Sequence, residues 1–261
     1  MGKEEILQQL VSMSNRLGEE WRELVILGEG NTSARICDQT FFVKASGTNL
    51  RTITAEGFVE VKFEPVLEML ESRELSDGEI KERLAAAKVN RNYKLAPSVE
   101  TVFHAYLLSI PGVNFVGHTH PVSVNGILCS KNWREALQGR LFPDEIVCCG
   151  IAPVFVPYTD PGVALARKIR EVVQEYISRI GERPKAILMQ NHGLIALGTT
   201  PKEVESVTMM WNKTAKILAR TYHFGGPSYL TPEQVNRLAT RPDEEQRKRL
   251  IEGLPLTLEE N

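Results

Sequence analysis

No apolar run in the chain approaches the roughly 18 residues that a membrane span needs. Cysteine is scarce, and Cys37, Cys129, Cys148 and Cys149 show no CxxC spacing, so no thiolate zinc knuckle is written here. The adjacent pair Cys148 and Cys149 sits in an apolar stretch and reads as small buried hydrophobes in a reducing cytosol. No charge sign dominates: 31 Lys and Arg face 33 Asp and Glu, for a net charge of −2. That balance excludes a bulk nucleic-acid binder, which would carry a basic excess, and a disordered acidic tail. The amino terminus lacks the pattern of a signal peptide, and Ile6 stands where a myristoylation motif wants Ser or Thr. No repeat or low-complexity segment is present. A cytoplasmic enzyme or binding protein, away from membranes, is the expectation.

What remains is an ordinary globular composition, 42% hydrophobic and 25% charged over 261 residues, enough for a core without staples. Apolar spacing predicts helices over 4–18, 77–88 and 98–108, a short one over 121–129, a long one from Pro161 to about Ile180 capped by Asp160, and one from Pro201 through Tyr222. Alternation predicts a hairpin of 32–37 with 40–46, and strands at 58–63, 113–120, 146–149 and 154–158. A last strand, 186–197, is interrupted at Asn191-His192-Gly193. Early strands are hairpin-linked and later ones interleave with helices. The expected fold is α/β: a single αβα layered domain with a central mixed, largely antiparallel sheet. The expected division is a domain over 1–225 and a charged helical tail over 226–261, after Gly225-Gly226-Pro227.

Only five histidines occur, and three carry the chemistry. In His118-Thr119-His120, residues i and i+2 of an extended strand point the same way and bring two imidazoles together. Seen alone, such a pair is as readily two hydrogen-bonded core histidines. His192 falls in another apolar strand beside Gly193, and a shared metal would satisfy all three rings. Three histidine ligands leave a tetrahedral ion one open position, which suits catalysis rather than structure. Zinc fits neutral imidazoles first, with Co, Ni, Fe or Mn behind it. Glu100 follows Pro97-Ser98, so Ser98 reads as an N-cap and Glu100 as a first-turn carboxylate, serving the helix dipole or acid–base work. His104, one turn on, reads as a packed helix histidine before a ligand.

Two loops are rich in glycine and hydroxyls. Gly28-Glu29-Gly30-Asn31-Thr32-Ser33 lacks the lysine of a P-loop and the third glycine of a dinucleotide fingerprint. With Ser46-Gly47-Thr48 and a helix starting near Ser98 it is either a set of ordinary turns or a nest for a phosphate.

The stretches GEGNTSAR (28–35), KASGTNL (44–50), APSVETVFHAYL (96–107), VGHTHP (116–121) and QNHGLIALG (190–198), in that order and spacing, resemble the class II aldolase/adducin family over about residues 4–222. VKASG, TAEGF and APSVET look most like the aldolase domain of rhamnulose-1-phosphate aldolase/dehydrogenase fusion proteins. The dehydrogenase half is absent here, so a stand-alone aldolase-like chain is expected. The resemblance implies that His118, His120 and His192 are zinc ligands and that Glu100 is the catalytic carboxylate. It implies that Gly30, Asn31, Ser46, Gly47 and Ser98 hold a substrate phosphate. It also implies a homotetramer with active sites between subunits. Two features depart from the family pattern. Val99 stands where the sugar-phosphate aldolases usually carry a hydroxyl, and no tyrosine lies between His120 and Tyr158 to donate a proton. Tyr222 and His223 are the substitutes that the tail offers. The expected reaction is reversible cleavage of a small ketose or ketose 1-phosphate through a metal-stabilised enediolate. A 4-epimerase, dehydratase or decarboxylase of the same family, or a non-catalytic adducin-like module, is the alternative.

Overall fold

An amphipathic stripe starts the chain: α1 (Lys3–Leu17) buries Leu10, Met13 and Leu17 on one side, each contributing about 1.5–3 kcal/mol. Alternation then builds β1 (Asn31–Arg35) and β2 (Thr40–Lys44) as a hairpin, with β3 (Phe58–Lys62) antiparallel to β2. Phe41 and Val43 join the apolar core on one face, and Phe42 joins the core on the other. The structure, a computed structural model, describes residues 2–253. The end of the expected tail, 254–261, lies outside the described residues.

The remaining elements are α2 (Phe63–Glu71), α3 (Asp77–Ala87), α4 (Thr101–Ser109), β4 (Phe115–Thr119), α5 (Val122–Leu128), α6 (Trp133–Leu137), α7 (Pro143–Cys149), β5 (Val154–Val156), α8 (Val163–Ile180), β6 (Ala186–Met189), β7 (Gly193–Gly198), α9 (Pro201–Thr221), α10 (Pro232–Ala239) and α11 (Pro242–Glu252). Among the described residues the strands form one sheet in the order β3-β2-β1-β4-β7-β6-β5, antiparallel except for β5 with β6. Helices α2, α3, α4 and α8 contribute to the core on one face, and α1, α5, α7 and α9 to the core on the other. This is the single α/β domain with a mixed sheet that alternation predicts. α10 packs on α7, and α11 on α7 and α9. Among the described residues no helix is long and apolar enough to cross a membrane.

Several elements differ from the sequence reading. Residues 146–149 are helical rather than a strand. Pro143 occupies the first turn of α7 with Asp144 and Glu145, a helix start that an apolar run of four residues conceals. Phe63 opens α2 instead of closing β3; Pro65 sits in the first turn, where a missing N–H costs nothing. Asp160 does not cap α8, whose N-cap is Gly162; its carboxylate accepts instead from the Tyr158 hydroxyl at 2.9 Å. The break at Asn191-His192-Gly193 is a full reversal: β6 and β7 are antiparallel neighbours, and Asn191 takes a left-handed φ of 53°. His192 is therefore at a turn and half-buried, not inside a strand.

Candidate metal and acid–base site

Sheet register assembles the site. Asn31 of β1 pairs with His118 of β4, and His118 pairs with Ile195 of β7, which puts the β6–β7 turn beside the end of β4. His118 is fully buried, and its ring meets Phe103 of α4 edge-on at 5.8 Å between centroids. His120 lies just past the strand, its backbone N–H donating to the Leu24 carbonyl at 2.8 Å. The Asn125 side chain donates to the His192 carbonyl at 3.0 Å and pins the turn. Two glycines permit the close approach. A Cβ on Gly193 would lie 2.5 Å from the Thr119 carbonyl and 2.8 Å from the His120 ring, and one on Gly30, at φ 66°, would lie 2.6 Å from the His118 carbonyl.

The three histidines bring ring nitrogens within 4.8 Å of one another. His118 Nδ1–H donates to the Leu194 carbonyl at 3.1 Å, which leaves the Nε2 lone pair pointing inward. His120 Nε2 faces it at 3.0 Å. Burial pushes His118 down to about 3, and burial together with His192 lowers His120, so both rings stay neutral at physiological pH. Neutral imidazoles with converging lone pairs suit a divalent cation. His118 keeps the backbone hydrogen bond that orients a metal-binding ring.

Glu100 closes the cluster. Its helix starts two residues later than expected: Glu100 occupies the N-cap position of α4, and its backbone N–H donates to Ser98 Oγ at 3.3 Å. Glu100 Oε1 lies 3.3 Å from His192 Nε2, and Oε2 lies 3.7 Å from His118 Nε2. Burial works to raise this carboxyl; protonated His118 or His192 would pull it down, and beside neutral rings the Asn31 amide N–H is the donor that favours the carboxylate. The group is an ionised carboxylate, buried, a few ångströms from two imidazoles.

A family model described as the Class II Aldolase and Adducin N-terminal domain matches residues 8–219. The chain belongs to that family. It is similar to a protein named uncharacterized oxidoreductase YuxG from Bacillus subtilis (strain 168), 26% identical over 257 residues, covering 95% of this chain and 34% of that one. The chain thus spans about a third of that relative's length. It is similar to a methylthioribulose-1-phosphate dehydratase of Bacillus subtilis (strain 168), 26% identical over 208 residues, covering 78% of this chain and 88% of that one. Among solved structures it is similar to the N-terminal class II aldolase domain of a conserved protein from Thermoplasma acidophilum. That likeness has a TM-score of 0.65 at 26% identity and covers 82% of this chain and 93% of that one.

In this class II aldolase fold the candidate anion loops are stitched together. Ser46 N–H donates to the Ala96 carbonyl at 2.9 Å, and Ala45 bridges Pro97, so Ser46 and Gly47, the latter at φ 79°, adjoin Ser98. Asn31 follows Gly30 of the first loop; its amide nitrogen donates to Glu100 Oε2 at 2.5 Å and its carbonyl faces His104. Sequence reading passed over Lys44. The residue is buried, its Nζ donates to the Gly28 carbonyl at 3.2 Å, and desolvation lowers its pKa against the pull of Glu100. The available sign was a lysine in an apolar strand two residues before Ser46-Gly47.

Gly193 offers a test of the packing. Gly193→Ala should keep the fold but push the His120 ring and the end of β4 apart, at about 1–3 kcal/mol of overpacking. Titration with Zn²⁺ or Co²⁺ should show affinity weakened by about tenfold or more, which that energy corresponds to. Unchanged affinity would detach Gly193 from the site.

Proposed function

We propose that the chain is a divalent-metal-dependent lyase of the class II aldolase type, reversibly cleaving a small ketose or ketose 1-phosphate into a dihydroxyacetone-type fragment and an aldehyde. The observation that carries this reading is the buried, ionised Glu100 carboxylate facing His118 and His192. His118, His120 and His192 would hold the ion, zinc first or another divalent transition metal. When bound, the ion supplies Lewis-acid polarisation of the substrate carbonyl. In the synthetic direction a Glu100 oxygen takes a proton from the carbon alpha to that carbonyl; in cleavage it returns one. Gly30, Ser46, Gly47 and Ser98 offer backbone and hydroxyl donors to a phosphate, and the Lys44 side chain, hydrogen-bonded to the Gly28 carbonyl, adds a cation. Asn31 contributes through Glu100. Exposed Trp21, Ile26 and Leu27 lie in the segment whose Leu24 carbonyl binds the His120 backbone, and these apolar side chains support a homotetramer whose sites sit near subunit contacts. Cytoplasmic location agrees with the four free cysteines.

The likeness to a methylthioribulose-1-phosphate dehydratase over 78% of the chain favours a second reading, loss of water from a ketose 1-phosphate. Both reactions move a proton at the carbon alpha to a carbonyl, taken in dehydration and in aldol synthesis and returned in cleavage, so the same Glu100 serves either. A panel of ketose 1-phosphates and free ketoses separates them. Aldehyde release coupled to a reductase is expected. A substrate consumed without aldehyde and with loss of water would replace the lyase by the dehydratase. A panel left entirely unconsumed would sink both.

A further inference from the structure

Two residues of β1 and two at the start of α4 interlock beneath the site. Asn31 and Ser33 are two apart on the strand and face α4, while Glu100 and His104 are four apart at the helix start. Two strand residues advance roughly 6.6 Å and four helical residues roughly 6 Å, so the two pairs mesh like teeth. The order of contact is Ser33, His104, Asn31, Glu100. Ser33 Oγ lies 2.6 Å from His104 Nδ1, His104 Nε2 is hydrogen-bonded to Asn31 Oδ1, and Asn31 Nδ2 lies 2.5 Å from Glu100 Oε2. Ser33 and His104 are fully buried and Asn31 and Glu100 nearly so.

The Asn31 amide sets the direction of every bond: its NH₂ donates to Glu100 Oε2 and its carbonyl oxygen accepts from His104. His104 must then carry its hydrogen on Nε2, and its bare Nδ1 must accept from the Ser33 hydroxyl. Turning any member around sets two lone pairs or two hydrogens face to face in a buried place, where no water relieves them.

We propose that Ser33, His104 and Asn31 are positioning residues, a buried hydrogen-bond chain that locks the Asn31 amide and thereby fixes the Glu100 carboxylate for proton transfer. This rests on the acid–base reading of Glu100. Without His104 the Asn31 carbonyl loses its partner, the amide is held at one end only, and Glu100 Oε2 loses a fixed donor. None of the three needs to touch the reacting atoms for this, so the loss falls on turnover.

The test uses the full chain loaded with Zn²⁺ and has two arms. Histidine ¹⁵N NMR at neutral pH should report His104 as the neutral Nε2–H tautomer, and Ser33→Ala should disturb that signal. Kinetically, His104→Phe should lower kcat by about 10–100-fold while KM and zinc content stay within about twofold. Ser33→Ala should act in the same direction by less, and Ser33→Thr, which keeps the hydroxyl, should restore turnover. A His104 found as the Nδ1–H tautomer or as a cation, or a His104→Phe enzyme with wild-type kcat, would overturn the proposal. If His104→Phe does not fold, Ser33→Ala and the wild-type tautomer decide. If the wild-type protein consumes no ketose, the functional reading has failed, and the NMR arm still decides the chain.

Discussion

The double variant His118→Ala with His192→Ala should fold, keep no stoichiometric divalent metal through dialysis, and show no ketose turnover above background. Wild-type protein treated alike should retain about one ion per chain by elemental analysis. The argument is one of donor count. His118 supplies a preoriented nitrogen, with its tautomer fixed by the Leu194 carbonyl, and His192 sits on a turn pinned by Asn125. Removing both leaves His120 alone beside Glu100, too few protein ligands for a stable site. Activity should fall by at least about a thousandfold, since Lewis-acid polarisation contributes several kcal/mol to such a reaction. Far-UV circular dichroism should stay close to wild type, because His192 lies at a half-buried turn and His118 is one residue in a strand paired on both sides. Loss of the buried His118 ring would still cost roughly 2–4 kcal/mol by the cavity it leaves. The single variant His192→Ala avoids that cost and should lose most of its affinity on its own. Metal retained at wild-type stoichiometry in the double variant would remove these histidines from the metal site and, with them, the lyase reading.

How much of this was legible depends on the range of the interaction that decides each feature. The convergence of His118 and His120 follows from the two-residue period of a strand, which any extended segment obeys. The three layers follow from alternation and from amphipathic helices, and the sheet came out mixed and largely antiparallel as those patterns imply. The segment 146–149 was illegible as a helix because four apolar residues fit either period, and Pro143 with two acidic neighbours, the deciding feature, lay just before it. The reversal at Asn191 has no glycine or proline at the residue that takes positive φ, so its sequence reads as an interruption rather than a hairpin. Asn31 and His104 meet through the register of β1 on α4, over a separation of 73 residues, and no local pattern encodes that. Lys44 is buried because the loop at Gly28 folds over it, again a tertiary event. The site's candidate ligands were therefore visible as residue types at spacings, while the partners that orient them were not.

Those partners govern the other large effect. Glu100→Gln should keep zinc at wild-type stoichiometry and lower kcat by about 10²–10⁴-fold, the range that a positioned general base contributes. Glutamine fills the same volume, and its carbonyl can still accept from Asn31 Nδ2, so the chain running back to His104 and Ser33 survives the exchange. What disappears is the ability to take or return a proton, because an amide does not do so near neutral pH. The second change is electrostatic. A negative charge that His118 and His192 face at 3.7 and 3.3 Å is replaced by a dipole. The three imidazoles remain in place as donors, so metal binding should weaken without being lost. KM should move far less than kcat, since the candidate phosphate donors lie on the loops at Gly30, Ser46 and Ser98. The outcome separates two roles of one carboxylate. If turnover collapses with metal bound, Glu100 moves the proton. If metal and turnover are lost together, its main work is as a ligand, and the base has to be sought among other side chains. An active, metal-bound Gln variant would take Glu100 out of the chemistry altogether and leave the Asn31–His104–Ser33 chain with nothing to position.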